Sequence, residues 1–168
     1  MVNDELSANG QRSTANDFDH CYTAALRILN YRFNSEAELR RKLRAKDFDS
    51  ETIDATIARL RDEKWLDDAR FAQAFVRTRM RKRIGRMRIR RELIAAGVDD
   101  ETAAGALRHN RDDDGEREAA LAIARKRAAR LDLSLPQDRN KLTAYLLKQG
   151  YDMALIREVV RACDDSRS

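Results

Sequence analysis

Apolar residues follow a helical period along most of the chain. In residues 22–33, 69–82 and 116–130 they recur three or four positions apart, which is typical of helices with one buried face. Shorter stretches carry apolar pairs four residues apart: Ile53/Ile57, Ala103/Leu107 and Ile156/Val160. The 168 residues include one proline and six glycines, and runs of β-branched and aromatic residues are scarce. The pattern therefore predicts an all-α protein.

The chain also repeats itself at intervals of about fifty residues. Each copy has a leucine near a helix end, an apolar residue five positions later and then an aspartate. The three sets are Leu43/Phe48/Asp49, Leu93/Val98/Asp99 and Leu146/Tyr151/Asp152. Just before the apolar residue stand Asp47, Gly97 and Gly150, where a helix ends in a left-handed conformation that glycine adopts without strain. Each aspartate is predicted to cap the following helix.

Polar residues and a proline mark further helix starts. Ser35 and Glu38 have the spacing of a capping box, Asp67 or Asp68 can cap the next helix, and Pro136 suits a first helical turn. Together these signals predict an elongated array of three tandem three-helix repeats. Its segments are a flexible N-terminal tail at 1–17, repeat 1 at 18–66, repeat 2 at 67–111, repeat 3 at 112–163 and a C-terminal tail at 164–168. A single irregular helical bundle is the alternative.

The net charge is +5, and the positive charge is concentrated in repeat 2. Residues 70–91 contain no acid and the following basic residues: Arg70, Arg77, Arg79, Arg81, Lys82, Arg83, Arg86, Arg88, Arg90 and Arg91. A solvated helical face would interleave acids with bases, so this run favours a patch that binds phosphate. We expect free N–H groups at the start of the helix near Arg86 to add to it. Crowded like charges should also need an anionic partner.

A weaker second patch lies further along the chain. It consists of Arg125, Lys126, Arg127 and Arg130. These residues either form solvated surface or continue the first patch.

No residue pattern supports catalysis. His20 and His109 lack partners at metal-ligand spacing, and phosphate loops, nucleophile elbows and Ser/His/Asp sets are not evident. We therefore predict a protein that is not an enzyme, with no catalytic residues, no metal site and no cofactor. Trp65 is interpreted as a core residue at a repeat junction rather than as a base-stacking platform. The three aspartates at 112–114 are interpreted as a polar junction between repeats 2 and 3.

The chain carries no signal for a membrane or secretion. No stretch approaches the roughly 18 apolar residues that a membrane span needs. The N-terminal residues lack the apolar centre of a signal peptide, and Cys21 and Cys163 stand far apart. These features predict a cytoplasmic protein with two free thiols.

The chain reads SEAELRRKL from Ser35, LDDARFA from Leu66 and IGRMRIRREL from Ile84. In these segments it resembles the RecX family of recombination regulators, and the third segment is the most specific. The similarity spans residues 22–162 and keeps the order of the three repeats. The family often has glycine where Asp47 stands and proline near Phe33, which affects turn geometry more than function.

The resemblance implies a regulator, mostly an inhibitor, of the RecA recombinase. Such a protein would lie in the groove of the RecA–single-stranded DNA filament and reduce ATP hydrolysis, strand exchange and cleavage of the SOS repressor. We expect a monomer that contacts RecA and the DNA within the filament through the basic residues, with binding to bare DNA left open. Reversal of Arg86, Arg88 and Arg90 to Glu should weaken binding without unfolding the protein.

Two other functions remain open from the residues alone. One is a general, non-sequence-specific nucleic-acid-binding protein without a recombinase partner, for which steep salt dependence and tight binding to bare DNA are expected. The other is a protein adaptor whose charges only confer solubility.

Overall fold

The computed structural model describes the backbone of residues 5–165 and the side chains of residues 16–165. All regular secondary structure in that part of the chain is α-helical. The helices are α1 (Glu5–Tyr31), α2 (Glu36–Arg44), α3 (Ser50–Asp62), α4 (Asp68–Arg81), α5 (Arg86–Ala95), α6 (Asp100–His109), α7 (Asp113–Ala128), α8 (Pro136–Gln149) and α9 (Met153–Asp165). The prediction of an all-α protein built from three sets of three helices is confirmed. None of these helices is long and apolar enough to cross a membrane.

The predicted turns recur in all three sets. Asp47, Gly97 and Gly150 have positive φ angles of 65°, 84° and 94°. The aspartate two positions after each of them accepts a hydrogen bond of 2.9 Å from the backbone N–H three residues further on. Each set therefore closes its second helix and starts its third with the chemistry that the sequence predicts.

The other predicted helix starts also exist, with one difference. The Ser35 hydroxyl accepts a hydrogen bond of 3.1 Å from the N–H of Glu38, but the Glu38 carboxylate pairs with Arg32 at 3.0 Å. Asp67, rather than Asp68, caps α4 by accepting from two N–H groups of its first turn at 2.9 and 3.0 Å. The proline of α8 occupies its first turn.

The described chain divides into two compact units. Unit 1 contains the residues up to Phe71 together with Ala96–Val98, and unit 2 contains Ala72–Ala95 and the chain from Asp99 onward. In unit 1, α1 packs on α2 and α3, and α2 packs on α3. The core of unit 1 consists of Cys21, Ala25, Leu39, Leu43, Ile53, Ile57, Leu60 and Leu66.

In unit 2, α7 packs on α8 and α9, α8 packs on α9, and α5 packs on α6. The core around α7–α9 consists of Ala120, Ala124, Ala128, Leu133, Leu142, Leu146, Tyr151, Ile156, Val159 and Cys163. On α5, the predicted inward residues Ile89 and Leu93 are fully buried. Cys163 and Cys21 of unit 1 are both buried, and they form no disulfide.

The first helix is longer than expected. Residues 5–17, predicted to be a flexible tail, continue α1 towards the N-terminus, while residues 1–4 and 166–168 lie outside the described part. This stretch contains no proline, and Gly10 is its weakest helix former, so its polar composition does not prevent a helix. Polarity distinguishes buried from exposed chain better than it distinguishes helix from coil.

The prediction that Trp65 is a core residue is wrong, because 59% of it is exposed. The chain turns sharply after α3, with Lys64 at a φ of 62° and the N–H groups of Trp65 and Leu66 both bound to the carbonyl of Leu60. In this turn Leu66 enters the core and is only 5% exposed. The leucine fills the place that the sequence suggested for the tryptophan.

Candidate nucleic-acid interface

The ten basic residues of the predicted patch lie on α4, on the turn after it and on α5. Arg70 belongs to unit 1, and the other nine belong to unit 2. Arg77, Arg79 and Arg81 are on α4, and Lys82 and Arg83 form the turn. The remaining four, Arg86, Arg88, Arg90 and Arg91, are on α5.

The turn between α4 and α5 is fixed by hydrogen bonds. Arg83 has a positive φ of 58°, and the N–H of Ile84 donates to the carbonyl of Arg79 at 3.2 Å. The buried Tyr151 hydroxyl donates to the carbonyl of Arg83 at 2.7 Å. Burial raises the pKa of Tyr151 to about 12, so this hydroxyl remains a donor at neutral pH. The backbone that carries the basic side chains is therefore anchored.

Gly85 allows the same turn to lie directly on the end of α8. Its N–H donates to the carbonyl of Gln149 at 2.9 Å, and the N–H of Met87 donates to the carbonyl of Gly150 at 3.0 Å. A Cβ atom on Gly85 would lie 2.3 Å from the carbonyl carbon of Gly150. This backbone-to-backbone contact explains why the specific segment from Ile84 contains a glycine at this position.

The expected free N–H groups at the start of α5 are occupied. Besides the bond of Met87, the N–H of Arg86 donates to the Glu116 carboxylate at 3.1 Å, and that of Arg88 donates to the carbonyl of Gly85 at 3.1 Å. Burial of Glu116 raises its pKa, although its bond to the Arg86 N–H acts in the opposite direction. The prediction of a phosphate site at this helix start is therefore wrong, because an internal carboxylate already occupies it.

Two of the basic residues share one acid on α5. Arg79 lies 2.8 Å from one carboxylate oxygen of Glu92, and Arg88 binds the other oxygen at 2.8 Å. The guanidinium of Arg79 also lies 4.6 Å from the ring centre of Phe75. These contacts hold both arginine side chains against unit 2.

Two further arginines pair with acids of later helices. Arg90 binds Asp100 through two hydrogen bonds of 2.8 and 2.6 Å, which lower the pKa of Asp100. Arg86 lies 3.2 Å from Asp113 and 3.8 Å from Glu116. The segment 70–91 contains no acid, but the fold supplies acids from outside it, so the expected repulsion is relieved for these arginines. Reversal of Arg86, Arg88 and Arg90 would disturb the fold as well as any interface.

Five of the patch residues in unit 2 remain exposed without an ion pair to any described residue. They are Arg77, Arg81, Lys82, Arg83 and Arg91. In unit 1, Arg70 is likewise exposed, with no carboxylate bound to its side chain among the residues described. These cations are available to an external anion at no cost in internal ion pairs.

The weaker second patch lies at the end of α7. Arg125, Lys126, Arg127 and Arg130 are all exposed, and Arg127 lies 5.6 Å from the ring centre of Tyr145. Basic residues in a last helical turn complement the helix dipole, which gives three of the four a structural role. The first aspartate of the 112–114 run caps the other end of α7, by accepting from the Gly115 N–H at 2.9 Å.

The four internal partners of the arginines were not identified from the sequence. They are Glu92, Asp100, Asp113 and Glu116. Arg88 and Glu92 are four residues apart on one helix, which is a detectable signal. The other acids lie on different helices, so only the packing brings them near the arginines.

Comparisons with known proteins identify the family. The models of the first, second and third three-helix domains of RecX match residues 21–60, 67–107 and 114–160. A Regulatory protein RecX of Xanthomonas oryzae is 37% identical over 137 residues, covering 82% of this chain and 84% of that protein. The Regulatory protein RecX of Oceanobacillus iheyensis is 31% identical and covers 85% of this chain, which spans about half (53%) of that relative's length.

Solved structures agree with this assignment. The crystal structure of RecX from Lactobacillus salivarius has a TM-score of 0.78 and 30% identity, covering 89% of this chain and 98% of that one. A second crystal structure of a regulatory protein RecX has a TM-score of 0.82 at 22% identity, which supports the fold; it covers 94% of this chain and 78% of that one. Matches to all three domain models, in order, together with these relatives, place the chain in the RecX family of regulatory proteins.

Proposed function

We propose that this chain regulates, mostly by inhibition, a RecA recombinase by binding along the groove of the RecA–single-stranded DNA filament. Binding there reduces ATP hydrolysis, strand exchange and cleavage of the SOS repressor. The protein acts in the cytoplasm as a monomer, through non-covalent contacts rather than as an enzyme. Family membership supports the regulatory role, and the name of the family's proteins supports a link to recombination.

One observation carries the proposal beyond the family name. The end of α4, the turn after it and α5 carry five exposed cations that form no ion pair with a described residue, on a backbone fixed by Gly85 and Tyr151: Arg77, Arg81, Lys82, Arg83 and Arg91. Exposed cations on a backbone that is already fixed bind phosphate with little loss of backbone entropy, so that only the side chains remain to be ordered. The filament groove contains a phosphate backbone, so this surface fits it.

The test is single-stranded-DNA-dependent ATP hydrolysis by the host recombinase, with this protein added at substoichiometric amounts. The triple variant Arg77→Glu, Arg81→Glu and Lys82→Glu removes unpaired cations. We expect it to need at least a tenfold higher concentration for half-inhibition. The matched control is Arg108→Glu, Arg157→Glu and Arg161→Glu, which changes the net charge equally at exposed positions of unit 2 outside the patch.

The control separates a local interface from overall charge. Equal loss of inhibition in both triple variants would show that only net charge matters and would contradict the proposed surface. Thermal unfolding of both variants checks that they are folded. No inhibition by the unmodified protein, combined with tight binding to bare DNA at the same salt concentration, would favour the general nucleic-acid-binding function instead.

A further inference from the structure

Unit 1 contains a groove that shares one residue, Arg70, with the predicted basic patch. The end of α1, the link from α1 to α2, the turn from α3 to α4 and one residue of α4 line it, around a cavity of about 950 Å³. Its aromatic lining residues are Tyr31, Phe33 and Trp65. They are 91%, 58% and 59% exposed.

The exposed aromatic residues are concentrated in this groove. The described side chains include all ten aromatic residues of the sequence, and only these three are exposed. All three line the same groove. Scattered surface aromatics need no explanation, but a cluster in one concave site marks a binding surface.

The charge of the groove is positive. Arg27, Lys64 and Arg70 line it, are exposed and have no ion pair among the residues that the structure describes. The groove's acid, Glu63, is already engaged: one carboxylate oxygen accepts a 2.8 Å bond from Arg59, and the other accepts from the Tyr22 hydroxyl. The groove therefore offers flat apolar faces and unpaired cations, with its carboxylate satisfied internally.

We infer that this groove of unit 1 binds single-stranded nucleic acid, with bases stacked on Tyr31, Phe33 and Trp65 and phosphates near Arg27, Lys64 and Arg70. Stacking on an aromatic side chain needs no particular sequence, because every base has a flat face. Duplex DNA conceals its base faces, so the groove selects single strands. An acidic peptide matches the cations but lacks a regular series of flat groups, and the groove therefore favours the polynucleotide.

This inference rests on the proposed function, because it gives unit 1 its own contact with the DNA strand of the filament. The inference about the groove can nevertheless be wrong while the proposed function is correct. Binding of a bare oligonucleotide involves no recombinase, so its outcome is independent of the ATP hydrolysis assay.

Trp65 is the only tryptophan in the chain, so its fluorescence reports on the groove directly. The probe is a thymidine oligonucleotide, titrated into the full chain at low ionic strength, with RNA and duplex DNA of equal length alongside. We expect single strands to quench Trp65 emission and the duplex to quench it at least tenfold less effectively per added nucleotide. An RNA strand that quenches as well as DNA would show that stacking and phosphate contacts, shared by both, dominate.

The double variant Tyr31→Ala and Phe33→Ala tests the site by affinity. We expect at least a tenfold weaker binding of a labelled oligonucleotide, measured by fluorescence anisotropy. The matched control, Met87→Ala and Leu147→Ala, removes exposed apolar side chains of unit 2 and should bind normally. Both variants replace exposed residues and should remain folded, which circular dichroism checks.

Three outcomes would overturn the inference. They are unchanged Trp65 emission while the oligonucleotide binds, unchanged affinity in the double variant, or no binding of single strands by the unmodified protein. If the double variant binds the oligonucleotide normally but loses inhibition of the recombinase, the groove contacts protein instead. In each case the inhibition assay still decides the proposed function separately.

Discussion

The carboxylate of Asp68 accepts a 2.8 Å hydrogen bond from the backbone N–H of Glu36, at the first turn of α2. Unit 2 contains the same relationship, in which Glu116 accepts a 3.1 Å bond from the N–H of Arg86 at the start of α5. In both cases an acid near the start of one three-helix set caps the second helix of the preceding set. Consecutive sets are thus joined by a hydrogen bond to a helix terminus, where unpaired N–H groups need a partner.

The stability that these two capping carboxyl groups contribute should depend on pH. Burial raises the pKa of both the Asp68 and the Glu116 carboxyl group. Each carboxyl group therefore has a higher pKa in the folded protein than in the unfolded chain. Its contribution to the free energy of unfolding is full at low pH and is lost as pH rises through the folded-state pKa. We expect Asp68→Asn, which keeps an acceptor oxygen but cannot ionise, to match or exceed the stability of the unmodified protein at neutral pH. Below about pH 4 that advantage should vanish. Urea unfolding at both pH values measures it.

The control for this prediction is Asp68→Ala, which removes the acceptor. It should lower the free energy of unfolding by about 1 kcal/mol at either pH, because the Glu36 N–H loses its partner. A lower stability of Asp68→Asn at neutral pH would show that the ionised carboxylate stabilises the cap, and the predicted sign would be wrong.

Replacement of Ser35 should lower the stability of the protein. Its buried hydroxyl accepts from the N–H of Glu38 and donates to the carbonyl of Ala96. Ser35→Ala should cost about 1–2 kcal/mol of unfolding free energy, since a cap and a buried carbonyl both lose their partner. Ser50→Ala is the matched control and should change stability little, because Ser50 is exposed at the start of α3 and Asp49 caps that helix. If both variants lowered the free energy of unfolding equally, the two hydrogen bonds of the Ser35 hydroxyl would not account for the loss.

Two glycines should respond in opposite directions to alanine. Gly85→Ala forces a Cβ atom within 2.3 Å of the backbone of Gly150 and should destabilise unit 2 by about 3 kcal/mol. Gly105→Ala lies inside α6 with its nearest neighbour, an Arg108 nitrogen, 3.8 Å away, and should stabilise by about 0.5–1 kcal/mol. Chemical denaturation of both variants tests this. A stable Gly85→Ala protein would mean that α5 can move away from the end of α8.

The sequence predicted the features that local chemistry controls. The left-handed turn at Gly150 and the cap at Asp49 depend on residues within one helical turn, so spacing and residue type were sufficient. The inward position of Leu93 followed from periodicity. Such features repeat in all three sets, which is why the repeats were detectable.

The sequence could not predict features that depend on packing between helices. Arg90 and Asp100 lie ten residues apart, and only the arrangement of α5 and α6 brings them together. Trp65 and Leu66 are neighbours of similar apolarity, and the turn at Lys64 decides which of them enters the core. The basic patch was therefore recognised as a charge run, but its division into paired and unpaired residues required the fold.

That division gives the last prediction. Arg86→Met removes the cation that pairs with both Asp113 and Glu116 and should lower the stability of unit 2 by about 1 kcal/mol. Arg91→Met removes an exposed side chain without an ion pair to the described residues, so stability should not change. Instead, Arg91→Met should weaken filament binding and reduce the slope of log affinity against log salt by about 1, because one phosphate contact is lost. Urea unfolding and salt titrations of both variants test this. An unchanged salt slope in Arg91→Met would show that unpaired cations of α5 do not contact phosphate, leaving those near the end of α4 as the candidates.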